Sequence, residues 1–204
     1  MKKLIFTIIL AFVLWTVMFS PWTAPHVNFW LCMSIAAATL TTLTCVFEPG
    51  WWKRVHITGT DVLIGLGVAA GLWGVFWIGD VLSQMMFDFA RPEVNDIYGR
   101  KDGANPVVLS MLLLLLIGPA EEIFWRGYVQ QTLSEKYGVN AGYAVATLLY
   151  AVVHVGALNF MLFMAALTCG VVWGGLYRFF PKRFAGIILS HALWDAAVFV
   201  WFPL

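Results

Sequence analysis

Six ionisable side chains interrupt the apolar second half of this sequence: Glu121, Glu122, Arg126, His154, His191 and Asp195. Charged groups within lipid-spanning sequence cost free energy and mark functional positions. Their spacing groups them. Residues four apart share one helix face, and Glu122 with Arg126, Tyr150 with His154, and His191 with Asp195 form three such couples. Glu122 precedes Arg126, the favourable order, so this couple reads as a self-neutralising structural ion pair. Tyr150 reads as a packing residue or as a hydrogen-bond partner for His154. Glu121 stands roughly 100° around the helix from Glu122 and has no cation on its own helix. Burying an unpaired carboxylate beside histidines is a route to a general acid or base. Glu121, His154 and His191 therefore form the expected chemical centre, with Asp195 attached to His191.

Composition says which elements must carry these groups. The 204 residues are 61% hydrophobic and 11% charged, with a mean hydropathy of +0.83. Soluble domains run near 45–50% apolar and about 25% charged, so the expected fold class is an all-α, polytopic transmembrane helix bundle. Apolar runs of about 20 residues are read at Leu4–Ser20, Phe29–Phe47 and Val62–Leu82, with a fourth opening at Val107. Turns near Gly138 and Asn159 and the basic stretch Arg178–Arg183 divide the rest into spans at Ala141–Ala157, Phe160–Tyr177 and Phe184–Phe202. That makes seven spans, or six if the short fifth or sixth is re-entrant. If the fourth and fifth spans form a hairpin at Gly138, Glu121 and His154 fall at nearly equal distances from the turn and share a depth.

Lys2, Lys3, Lys53, Arg54, Lys136, Arg178, Lys182 and Arg183 fall on one side of such a bundle, against Arg91, Arg100 and Lys101 on the other. The positive-inside rule then gives an N-in, C-out orientation. Trp22, Trp30, Trp51 and Trp52 fall at span ends, as an interfacial aromatic belt requires. The first span resembles a signal peptide, but Trp22-Thr23-Ala24 is a poor cleavage site, and a retained helix is expected. Gly67/Gly71 and Gly170/Gly174 have the spacing of close helix contacts. Cys32, Cys45 and Cys169 form no metal or disulfide pattern. A net charge of +1 gives no nucleic-acid footprint. Residues 1–204 read as one membrane domain, with scaffold spans and an outer loop in 1–106 and the catalytic helices in 107–204. The polar stretch Gln84–Pro106 is expected to be a solvated outer loop.

The residues also resemble a family. Glu121-Glu122-Ile-Phe-Trp-Arg126 matches the EExxxR motif of the CAAX protease and bacteriocin-processing membrane peptidases; Tyr150–His154 resembles its FxxxH motif and His191–Asp195 its HxxxN motif. The resemblance covers about residues 107–200. It implies a glutamate-type intramembrane endopeptidase in which Glu121 is the general base, His154 its partner on the attacking water, and His191 an oxyanion donor. Glu122 and Arg126 would then hold the helix in place. Two positions depart from the pattern: Tyr150 stands for phenylalanine, placing a hydroxyl near His154, and Asp195 stands for asparagine. An ionised aspartate only accepts hydrogen bonds, so either Asp195 is protonated by its apolar setting or it orients and charges His191, as aspartate does for a catalytic histidine; the second is the expectation.

The implied partners are a membrane-embedded or lipid-anchored peptide or protein substrate and the bilayer itself. No cofactor is implied, and the expected location is a bacterial inner membrane, as a multi-pass cell-membrane protein. Prenylated tails, peptide precursors and sorting helices are all known targets of relatives, and no residue selects among them. Rival readings of the same residues are a zinc peptidase liganded by Glu121, His154 and His191, a proton-coupled transporter, and a non-enzymatic immunity or interaction protein. The zinc reading lacks HExxH, and the transporter reading lacks an internal repeat.

Overall fold

The computed structural model describes residues 1–204; its regular elements are all helices, with no strand. Seven helices are long and apolar enough to cross a membrane. They are α1 (Lys2–Phe19), α2 (Phe29–Phe47), α3 (Gly59–Met86), α5 (Pro106–Tyr137), α6 (Val139–Ala157, regular to Val152), α7 (Phe160–Phe179) and α8 (Pro181–Trp201). A short polar helix, α4 (Ala90–Gly99), lies between α3 and α5. The spans agree with the sequence reading to within a few residues, because lipid leaves backbone polar groups no partner outside a continuous helix.

Side chains satisfy the first free amides of several helices. Asn28 accepts from Leu31 N–H at 3.0 Å, and Asn159 accepts from Leu162 N–H at 2.8 Å. Thr58 and Asp61 form a reciprocal capping box at the start of α3, which meets two orphan donors at once. Gly138, at φ 88°, turns the α5–α6 hairpin where the sequence places it.

At the centre lies α8, packed against α3 and α5. Of its span 61% is buried inside the protein, against 17% for α3, which is therefore the most lipid-exposed. The expected glycine contacts divide accordingly. Gly170 and Gly174 meet Thr147, Tyr143, Tyr150 and Gln130, whereas Gly67 and Gly71 face nothing in the chain. α5 runs 32 residues, roughly 48 Å at 1.5 Å per residue. It carries two wide, π-type turns, at Leu113–Ile117 and Trp125–Gln130, which bracket the segment holding Glu121 and Glu122. Such turns recur at functional sites because they re-aim side chains within a helix.

Gln84–Pro106 is not a solvated loop. Its ten-residue helix α4 and the two residues that follow it are fastened to five spans by polar contacts. Asn159 Nδ2 donates to the Glu93 carbonyl at 2.9 Å, and the Glu93 carboxylate accepts from Met161 N–H at 2.8 Å. Arg100 donates to the carbonyls of Met18 and Phe19 at the end of α1 and lies over the rings of Phe19 and Phe29. Trp30 donates to the Arg100 carbonyl, and Lys101 donates to that of Phe199. Tyr98 donates to the Val198 carbonyl at 3.0 Å, and burial lifts its phenol above the ordinary tyrosine range. Arg91 reaches back to Asp80 at 3.2 Å. The reason for the difference is that helix-end carbonyls within a bundle need donors, and these basic residues supply them.

Candidate active site

The site is built where α5 and α8 come closest. A Cβ placed on Gly118 would lie 2.6 Å from Ala192 Cα and 2.9 Å from its nitrogen. Glycine at 118 is therefore what lets the two helices approach, one turn before Glu121 and Glu122 and beside His191. Across this contact Glu122 Oε1 accepts from Arg126 at 2.8 Å and lies 2.7 Å from His191 Nδ1. Glu122 and Arg126 are sealed from solvent, at 0% and 2% exposure. The ion pair expected from spacing is thus present, but its carboxylate also holds the histidine of another helix. Asp195 Oδ2 stands 3.5 Å from His191 Nε2, beyond a good hydrogen bond. The close orienting contact to His191 therefore comes from Glu122.

The face of the His191 ring is occupied too. Trp173 stacks on it with centroids 3.7 Å apart and planes 15° from parallel. The Arg126 guanidinium lies over both Tyr150 and Trp173. The ring is thus fixed at Nδ1 by Glu122 and on its face by Trp173, with Asp195 further off at Nε2.

Glu121 points the other way. Its Oε2 accepts from the Tyr150 hydroxyl at 2.9 Å, so this hydroxyl serves Glu121 and not His154, as the couple's spacing had suggested. His154 lies just beyond the regular part of α6, in the tight turn that leads into Val155–Ala157. Its Nδ1 is 2.8 Å from the Tyr150 carbonyl, and its Nε2 accepts from the Trp15 indole N–H at 3.1 Å. Trp15 comes from α1.

Glu121, Tyr150, His154, His191 and Asp195 all line one cavity of about 460 Å³, whose other walls are mostly apolar and include Trp15, Phe19, Phe76, Met86 and Trp194. Glu122 and Arg126 lie behind that wall. All seven residues nominated from sequence are thus gathered, five of them facing the cavity and two packed behind it. The zinc reading asks Glu121, His154 and His191 to converge, and no group of three or more His, Cys, Asp or Glu side chains has the spacing of a metal site.

The family model described as type II CAAX prenyl endopeptidase Rce1-like matches residues 103–197. This segment, a little under half of the chain, is similar to the CAAX protease family. No curated protein and no solved structure matches the chain. The CAAX protease match takes in all three motifs, from Glu121 to Asp195, and supports a protease that acts on membrane-associated substrates. Two neighbours of the site escaped the sequence reading. Trp173 falls inside the matched CAAX protease segment but outside the motifs; Trp15 falls outside the match altogether. A signal for Trp15 existed: it sits mid-span, away from the interfacial belt, and a buried indole N–H needs an acceptor.

Proposed function

We propose that this protein is an intramembrane endopeptidase that hydrolyses a peptide bond in a membrane-associated substrate by water activation. The observation that carries this reading is the sorting of the polar groups. One carboxylate, Glu121, faces a largely apolar cavity together with two histidines, while its neighbour Glu122 is consumed by Arg126 and His191.

In this reading the Glu121 carboxylate takes a proton from water as the oxygen attacks the scissile carbonyl carbon. His154 supports the same water. The oxyanion that forms is met by the Nε2–H of an imidazolium at His191, whose Nδ1–H is held by Glu122, and preorganised charge of this kind is the largest usual contribution to acyl-transfer catalysis. As the tetrahedral intermediate collapses, the C–N bond breaks and Glu121 returns its proton to the leaving amine. Glu121 is thus base and then acid. The Tyr150 hydroxyl orients it. The apolar cavity suits a lipid-modified or membrane-embedded peptide, since such a chain desolvates at little cost.

The test uses the full chain in lipid nanodiscs and an internally quenched peptide with a farnesylated CAAX tail. Wild type should cleave it and Glu121→Gln should not, with both proteins equally helical and equally heat-stable. Cleavage at wild-type rate by Glu121→Gln would refute the mechanism.

A further inference from the structure

Both nitrogens of His154 are already engaged, and the identities of the partners fix its state. The Tyr150 carbonyl can only accept, so Nδ1 carries a hydrogen. The Trp15 indole can only donate, so Nε2 carries a lone pair. His154 is therefore the neutral Nδ1–H tautomer, and its single in-plane lone pair is taken by a tryptophan from the far end of the sequence. A water held between Glu121 and His154 needs that same lone pair.

We infer that Trp15 is a positioning residue for the proposed hydrolysis, fixing the His154 tautomer and occupying the acceptor site that the attacking water takes over when substrate fills the cavity. The inference rests on the peptidase reading and adds to it a residue from outside the family match. Several contacts hold Trp15 there. α1 packs against the turn that follows His154, where a Cβ on Gly156 would come within 2.7 Å of Thr16 Oγ1, so glycine is what permits the approach. Arg100 secures the last turn of α1 through Met18 and Phe19, and Phe19 in turn packs on the His154 ring at 5.8 Å. Trp15 and Phe19 also line the cavity beside Glu121 and His154. The placeholder keeps Nε2 satisfied in a buried site at rest, where an unpartnered acceptor is costly, and keeps the tautomer correct for the moment water arrives.

The experiment combines a spectroscopic and a kinetic readout on the full chain in nanodiscs. With ring nitrogen-15 in histidine and tryptophan, the Trp15 indole N–H resonance should shift in His154→Ala, and the His154 Nε2 resonance should shift in Trp15→Phe. Replacing Trp15 with benzothienylalanine, a sulfur isostere of the same shape, removes the donor without altering packing. It serves if the phenylalanine variant folds poorly. Either variant should raise kcat on the farnesylated peptide about two- to tenfold, the span of one net hydrogen bond, and leave KM within twofold. A tenfold or greater fall in kcat in the folded isostere protein would overturn the placeholder role. So would an indole resonance indifferent to His154→Ala. Retained cleavage by Glu121→Gln would instead sink the water-activation reading, and the inference with it, leaving the two resonances coupled.

Discussion

Gly118→Ala tests whether the α5–α8 contact sets the chemistry. The added methyl would lie 2.6 Å from Ala192 Cα, 2.9 Å from its nitrogen and 3.1 Å from its Cβ. Ordinary carbon–carbon contact needs 3.5–4.0 Å, so the helices must part by about 1 Å. None of these three atoms is the tip of a flexible side chain; two are backbone atoms. The same displacement acts on the 2.7 Å contact between Glu122 and His191, one helical turn away, and stretches it beyond hydrogen-bonding range. Overpacking of this size costs about 1–3 kcal/mol of stability, and a 1 Å misplacement of a catalytic group costs about 100-fold in rate. Gly118→Ala should therefore fold with a lowered melting temperature and cleave the farnesylated peptide about 100-fold more slowly. Gly67→Ala, whose methyl meets nothing, should stay within twofold of wild type in both. A Gly118→Ala enzyme with wild-type kcat would show that this helix contact does not govern the site.

Asp195→Asn should retain measurable activity while His191→Ala loses most of it, because Glu122 still holds Nδ1 in the former; equal and complete loss in both would contradict the assignment. Tyr150→Phe removes the donor to Glu121 at 2.9 Å and, at about 1.5–3 kcal/mol for a hydrogen bond to a charged group, should slow cleavage by about 10- to 100-fold in kcat; an unchanged kcat would free Glu121 from this partner. Arg100→Ala leaves the carbonyls of Met18 and Phe19 without their donor, so amide exchange across residues 87–105 should quicken relative to α8, and equal protection would mean α4 is held by its other contacts alone.

What was legible in the sequence was whatever local rules or the bilayer dictate. Span limits could be read because lipid forces apolar runs of about 20 residues, and the Glu122–Arg126 pair because four residues on a helix bring them together. The partners supplied by other helices could not. Tyr150 and Glu121 are 29 residues apart, Glu122 and His191 69, and Trp15 and His154 139, and no spacing rule connects them. So spacing offers the Tyr150 hydroxyl only packing or a partner in its own helix, whereas its acceptor, Glu121, lies across the bundle. The polar composition of Gln84–Pro106 likewise hid a helix whose Arg91 and Glu93 are spent on Asp80 and the Met161 N–H, while Arg100 and Lys101 just beyond it meet the carbonyl ends of α1 and α8.

The length of α5 has a consequence for the lipid around it. At roughly 48 Å it exceeds a hydrocarbon core of about 30 Å. Even without its last two turns, which carry Gln131, Glu135 and Lys136, the remainder is too long to stand upright in such a core. The helix must tilt or draw the acyl chains into a thicker collar, either at a modest cost per ångström. α1 and α2, at 18 and 19 residues, favour a thinner one. The same molecule therefore asks for two bilayer thicknesses at neighbouring helices, since α2 packs against α5. A membrane of uneven depth along its perimeter follows, so the level at which a membrane-anchored chain meets the protein varies with where it approaches.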